Sequence, residues 1–161
     1  MTALAPRQAD YAEICDLLEQ VELFDDLDGA ALRALGAQMV VRTFAADATV
    51  FREGDPGDWM GLLVAGEICV RKDADARDCR TVAVETRKRV VGEMSLIDGE
   101  SRSATCVATR PATLLVLTRE RFQKLAKERP ELAFAVLMRV ARVISRRLRA
   151  TSGRLVEYLE S

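Results

Sequence analysis

Residues 91–107 read VGEMSLIDGESRSATCV, and the fold and chemistry of the chain turn on them. Gly92-Glu93 stands ahead of Arg102-Ser103, with a short apolar turn and the loop Asp98-Gly99-Glu100-Ser101 between the pairs. Glycine lets the backbone approach a ligand closely. Glu93 to Ile97 is predicted as one short helical turn, whose free N–H groups and positive dipole end suit an anion. Arg102 can fork onto two phosphate oxygens, and the Ser103 hydroxyl can donate one bond more. A carboxylate here would repel a bare phosphate, yet Glu93 would accept a hydrogen bond from a sugar hydroxyl. Together these groups ask for a sugar phosphate.

On either side, Met39 to Thr118 consists of short runs of Val, Ile, Leu and Thr broken by Gly, Asp and Pro turns, the pattern of an all-β body. Strands are predicted at Met39-Phe44, Thr49-Arg52, Met60-Ala65, Glu67-Lys72, Thr81-Glu85, Ser103-Ala108 and Thr113-Leu117. Turns fall in the Glu53 to Asp58 stretch, at Ala65-Gly66 and across KDADARD. Trp59 and Phe51 are expected in the core rather than against a ligand. Asp55 and Asp58 read as turn residues, since no third acidic group stands at calcium-loop spacing.

The GEMSL and ESRSAT motifs resemble the phosphate-binding cassette of the cyclic-nucleotide-binding domain family, found in the bacterial catabolite activator protein, protein kinase A regulatory subunits and nucleotide-gated channels. VFREGDPGDWMGLLVAGEICV (Val50 to Val70) and VATRPATLLVLTRERFQKL (Val107 to Leu125) resemble the family's flanking strands and following helix. Ser101 is a departure, because many members have proline there. The resemblance implies an α+β fold, an antiparallel, jelly-roll-like β-roll flanked by N-terminal helices and a long C-terminal helix. It also implies that Glu93 takes the ribose hydroxyl, and Arg102 with Ser103 the cyclic phosphate, within a set that includes Gly92, Met94, Ser95 and Ala104.

At the N-terminal side, Ile14, Leu17, Leu18 and Val21 recur at helical spacing between Ala9 and Leu23, and Asp28 is placed to cap a second helix running toward Met39. In the family such helices pack outside the roll and move on ligand binding; packing alone is the other reading. After Thr118, RERFQKLAKERP predicts a short helix ended at Pro130, followed by a final helix. Heptad spacing puts Phe134, Ala141, Leu148 and Leu155 at one seam position and Leu137, Ile144, Thr151 and Tyr158 at the other. Val136, Val140 and Val143 offer a second apolar face for the roll. Gly153 predicts a bend or fraying. The run Ile144 to Leu155 resembles the dimerisation helix of the catabolite activator protein. By that resemblance Thr151 meets the base in its own subunit, and Ser152 reaches the nucleotide held by the partner.

Composition sets the bounds. The chain has 161 residues, is 49% hydrophobic and 30% charged, and carries a net charge of -1, which suits one domain spanning 1–161. Its sections are N-terminal helices (1–38), a roll (39–118) holding the cassette (91–107), and C-terminal helices (119–161). Lys+Arg 24 against Asp+Glu 25 gives no overall bias toward nucleic acid or anionic membrane. With no apolar span and no signal-peptide pattern, a cytoplasmic location is expected. The chain has no histidine, which removes the usual general base and most zinc ligand sets. Cys15, Cys69, Cys79 and Cys106 have no metal-ligand spacing and read as small buried hydrophobes. No cofactor is expected, only a ligand, cAMP or cGMP. The expectation is a non-enzymatic cyclic-nucleotide receptor, homodimeric through its last helix, without membrane or nucleic-acid partners, acting on a downstream effector of unknown identity. The alternatives are a degenerate roll serving as a structural interaction domain, and a DNA-binding regulator acting through the arginines of the last helix.

Overall fold

Two aspartates start the chain's first helices. Asp10 Oδ1 accepts from the Glu13 N–H at 2.8 Å and caps α1 (Tyr11–Glu19), and Asp28 Oδ1 accepts from Ala31 at 2.7 Å and caps α2 (Gly29–Gly36). The computed structural model describes residues 9–72, 80–83 and 89–160, and for 80–83, 154 and 156–160 the backbone alone. The first helix is shorter than its apolar spacing suggested. It stops at Glu19, Val21 turns extended, and a 3-10 turn covers Glu22–Phe24.

The strands are β1 (Val40–Phe44), β2 (Thr49–Phe51), β3 (Trp59–Arg71), β4 (Arg80–Ala83), β5 (Val90–Val91) and β6 (Thr105–Thr118). All pairings are antiparallel, in the order β1-β6-β3-β4, with β2 on β6 and β5 on β3. β6 is therefore the spine. Its side chains alternate with a period of two. Leu115 and Leu117 join the helices in one core with Leu18, Phe24, Leu62 and Val136, and Leu114 and Val116 join Trp59, Ile68 and Cys106 in another. A strand buried on both faces reads as a continuous apolar run, which is what TLLVL is.

Two expected pairs of strands run through as single elements, β3 and β6. Their register shifts between Leu63 and Ile68 absorb the corner that sequence placed at a strand end. Pro111 sits opposite these shifts, where its missing N–H breaks no ladder bond. β5 was not anticipated, since two residues carry no periodicity. KDADARD after Lys72, together with Glu85, lies outside the described residues.

Thr118 caps α4 (Arg119–Glu128), and α5 (Pro130–Glu160) continues as helix through Gly153, where a bend or fraying was expected. Val136 and Val140 are buried against the roll, while Phe134, Leu137, Leu148 and Leu155 are exposed. Cys15 and Cys106 are free thiols, the second held up at a pKa of about 12 by burial. Cys69 is buried but disulfide-bonded, which corrects its reading as a small buried hydrophobe alone; Cys79 lies outside the described residues.

Candidate nucleotide pocket

β5 pairs with β3 through Gly61↔Val91 and delivers the chain to Gly92. Gly92 has φ 71, and a side chain there would collide with the Arg102 guanidinium. Only glycine meets both demands without strain. Its carbonyl accepts from Arg102 Nη1 at 3.0 Å. The cassette helix α3 (Glu93–Asp98) starts immediately after it, so Glu93 opens the helix with its side chain buried, 5% exposed.

Arg102 is 3% exposed and held on several sides. Its backbone N–H donates to Asp55 O at 2.8 Å, and its carbonyl accepts from Gly54 at 2.9 Å, which seats it on the 54–58 turn. Asp55 stabilises that turn, since its Oδ2 accepts from Arg52 N–H at 2.9 Å. The guanidinium lies 4.4 Å from the Phe51 ring centroid and 4.6 Å from that of Trp59. The two rings meet edge to face at 5.7 Å and form an aromatic seat for the cation. Arg102 Nε and Nη2 are buried with no hydrogen-bond partner. Burial pulls the guanidinium below its ordinary pKa, while Asp58, Cys106, Glu93 and Asp55 draw it back upward. A buried cation with two unused donors is a costly arrangement unless an anion completes it.

Gly92, Glu93, Met94, Ser95, Arg102, Ser103 and Ala104 all line one open pocket of about 180 Å³, with Phe51, Val70, Val91 and Arg147. Phe51 packs against the second core, as sequence expected, and is also both seat and wall of the pocket. Ser103 Oγ donates to Met94 Sδ at 3.8 Å, and Lys72 Nζ donates to the Ser103 carbonyl. No His/Cys/Asp/Glu cluster suited to a metal occurs among the described residues.

Arg147 is the residue that sequence reasoning missed, having grouped it with the other arginines of the last helix. Its Nη1 donates to Glu93 Oε1 at 2.7 Å and its Nη2 to Val90 O at 2.8 Å. Its signal was present in the Arg146-Arg147-Leu148 run, one turn ahead of Thr151. Thr151, expected at the base in its own subunit, is exposed and does not line the pocket; Ser152, expected at a partner's nucleotide, is exposed too. Thr151 Oγ1 donates instead to Arg147 O at 3.0 Å, a short side chain satisfied by its own helix. The long arginine reaches the pocket where the hydroxyls do not.

A family model described as "Cyclic nucleotide-binding domain" matches residues 41–129. The chain is 26% identical over 145 residues to a CRP-like cAMP-activated global transcriptional regulator of Mycobacterium tuberculosis, covering 89% of this chain and 62% of that protein. It is 35% identical over 128 residues to a cyclic nucleotide-gated potassium channel of Mesorhizobium japonicum, covering 79% of this chain and 34% of the channel. The chain thus spans less than two thirds of both. A solved cyclic nucleotide-binding domain from Methylobacillus flagellatus superposes with a TM-score of 0.78 at 31% identity, over 98% of this chain and 88% of that one. With residues 41–129 matched and the roll, cassette and flanking helices all present, the chain belongs to the cyclic nucleotide-binding domain family.

Proposed function

We propose that the pocket binds a cyclic nucleotide, cAMP in the first place, and that the chain is a receptor whose occupancy is read by a partner. The observation that carries this is Arg102, buried at 3% exposure with Nε and Nη2 unpartnered, beside the buried carboxylate of Glu93. The cyclic phosphate takes those two donors and the Ser103 hydroxyl. The ribose hydroxyl donates to Glu93, which Arg147 orients. Because Arg147 belongs to α5, a sugar docking at Glu93 perturbs a contact between the cassette and the last helix. That contact is the route by which binding reaches the rest of the molecule.

The pocket suits recognition rather than turnover. Glu93 is engaged by Arg147, which leaves Ser103 without a base among the described residues. A DNA-binding role for α5 is weakened by the same bookkeeping, since Arg139 is tied to Asp26 at 2.6 Å and Arg147 to Glu93 at 2.7 Å. No helix among the described residues is long and apolar enough to cross a membrane.

Titration calorimetry of the chain with cAMP and with cGMP tests the proposal. Saturable heat that disappears in Arg102→Ala is the expected result. No heat with either nucleotide overturns it, and cGMP binding tenfold tighter, about 1.4 kcal/mol, reverses the base preference.

A further inference from the structure

The start of α4 is bonded to the far end of the cassette helix through Arg119. Its guanidinium Nη2 donates to the carbonyl of Ser95, which also accepts the Gly99 N–H at 3.0 Å, so one oxygen serves both the helix end and the arginine. The last carbonyls of a helix lack partners within it and carry partial negative charge, and a cation there satisfies both needs. Gly99 makes room for the contact. It closes α3 with φ 78, and a Cβ on it would lie 3.0 Å from Arg119 Nη1 and 3.2 Å from Nη2. Ser95 is itself pressed against the 54–58 turn, where a side chain on Gly57 would overlap it. The Arg119 backbone N–H donates to Asp58 O at 2.7 Å, in that same turn. Arg102 is seated there too, through Asp55 and Gly54. Arg119 thus touches both supports of the pocket, the cassette helix and the turn, from the first residue of the helix that packs on α5.

We infer that Arg119 is a positioning residue for the nucleotide pocket: it fixes the C-terminal end of α3 against α4, so that Glu93 at the other end of the helix keeps its place beside Arg102. It rests on the nucleotide reading for its affinity effect, but not for its effect on α3. α3 has six residues, too few to hold its shape by its own hydrogen bonds, so its order depends on such external partners.

The test uses Arg119→Met, which keeps the aliphatic stem and removes the donors, and Arg119→Lys, which restores one. Hydrogen exchange of the Leu96 to Gly99 amides is followed without nucleotide, and affinity for cAMP is measured by calorimetry. In Arg119→Met those amides exchange at least tenfold faster while those of Leu114 to Leu117 in β6 keep their rates. Affinity falls about tenfold, and Arg119→Lys recovers most of both. A variant that merely loosened the fold would speed exchange in β6 as well. Unchanged exchange in α3, or equal acceleration in β6, overturns the inference. If the wild-type chain binds no cyclic nucleotide, the proposed ligand is wrong, and the exchange result still decides the role of Arg119.

Discussion

Arg102 shows how a single residue can define a binding site before any ligand is considered. It is desolvated, stacked on two rings and left with two unused donors. Arg102→Ala should nearly abolish nucleotide binding, at a cost of about 2–5 kcal/mol, because a buried phosphate would lose its charged partner. Arg102→Lys should fail almost as badly, since an ammonium replaces the fork with a point charge. Calorimetry on both variants checks this, and retained affinity removes the site. Trp59, the chain's one tryptophan, packs on the same guanidinium, so its fluorescence should change on nucleotide addition and stay constant in Arg102→Ala. Glu93→Gln should weaken binding less than Arg102→Ala and relax discrimination against 2′-deoxy analogues. The same change removes the acceptor charge that holds Arg147.

At the scale of elements, the sequence showed most clearly those parts whose shape is set locally. The caps Asp10 and Asp28 carry out in the structure what short polar side chains do at helix starts, although only Asp28 was read as one. The cassette helix stands where Gly92 and Gly99 bracket it. Long-range partners were the blind spot. β5 exists only because β3 lies beside it, and Arg147 is set apart by its bonds to Glu93, 54 residues away, and to the Val90 carbonyl. The continuity of β3 and β6 was hidden for a similar reason, because a bulge opposite a proline looks like a strand end in one dimension. Another long-range contact allows a pH prediction. Asp26 accepts from Arg139 on α5, and that hydrogen bond holds its carboxyl below the ordinary value. A depressed carboxylate contributes stability that is present above its unfolded pKa, about 3.9, and is lost as pH falls through the lower folded value. Thermal scans at low salt should therefore show the wild type losing stability more steeply than Asp26→Asn below about pH 4. Asp26 is solvent-exposed, so added salt should shrink the difference. Parallel profiles would mean the contact contributes nothing.

At the scale of the whole molecule, α5 carries an apolar stripe that no other described element covers. α5 has 31 residues, about 46 Å of helix at 1.5 Å per residue, and its buried face ends near Val140 and Ile144. Phe134 and Leu148 are each 64% exposed and Leu155 58%, all at one heptad position. Isolated exposed leucines are ordinary, but a periodic stripe along a helix is a surface that water disfavours. Heptad spacing is self-complementary, so we expect a second copy to cover it about a two-fold axis. Pairing there would also change the position of Thr151 and Ser152, which reach no pocket within one chain. With Arg147 on the same helix as the seam and bonded to Glu93, nucleotide binding and dimer formation should strengthen each other by one common factor. Leu148→Glu sets like charges across the axis and should give monomers with weaker nucleotide affinity. Sedimentation at several concentrations, with and without cAMP, measures both halves of the linkage. A wild-type chain that stays monomeric in both conditions would reduce α5 to a lid on its own roll, leaving Arg147 as its one contribution to the pocket and no part for Ser152.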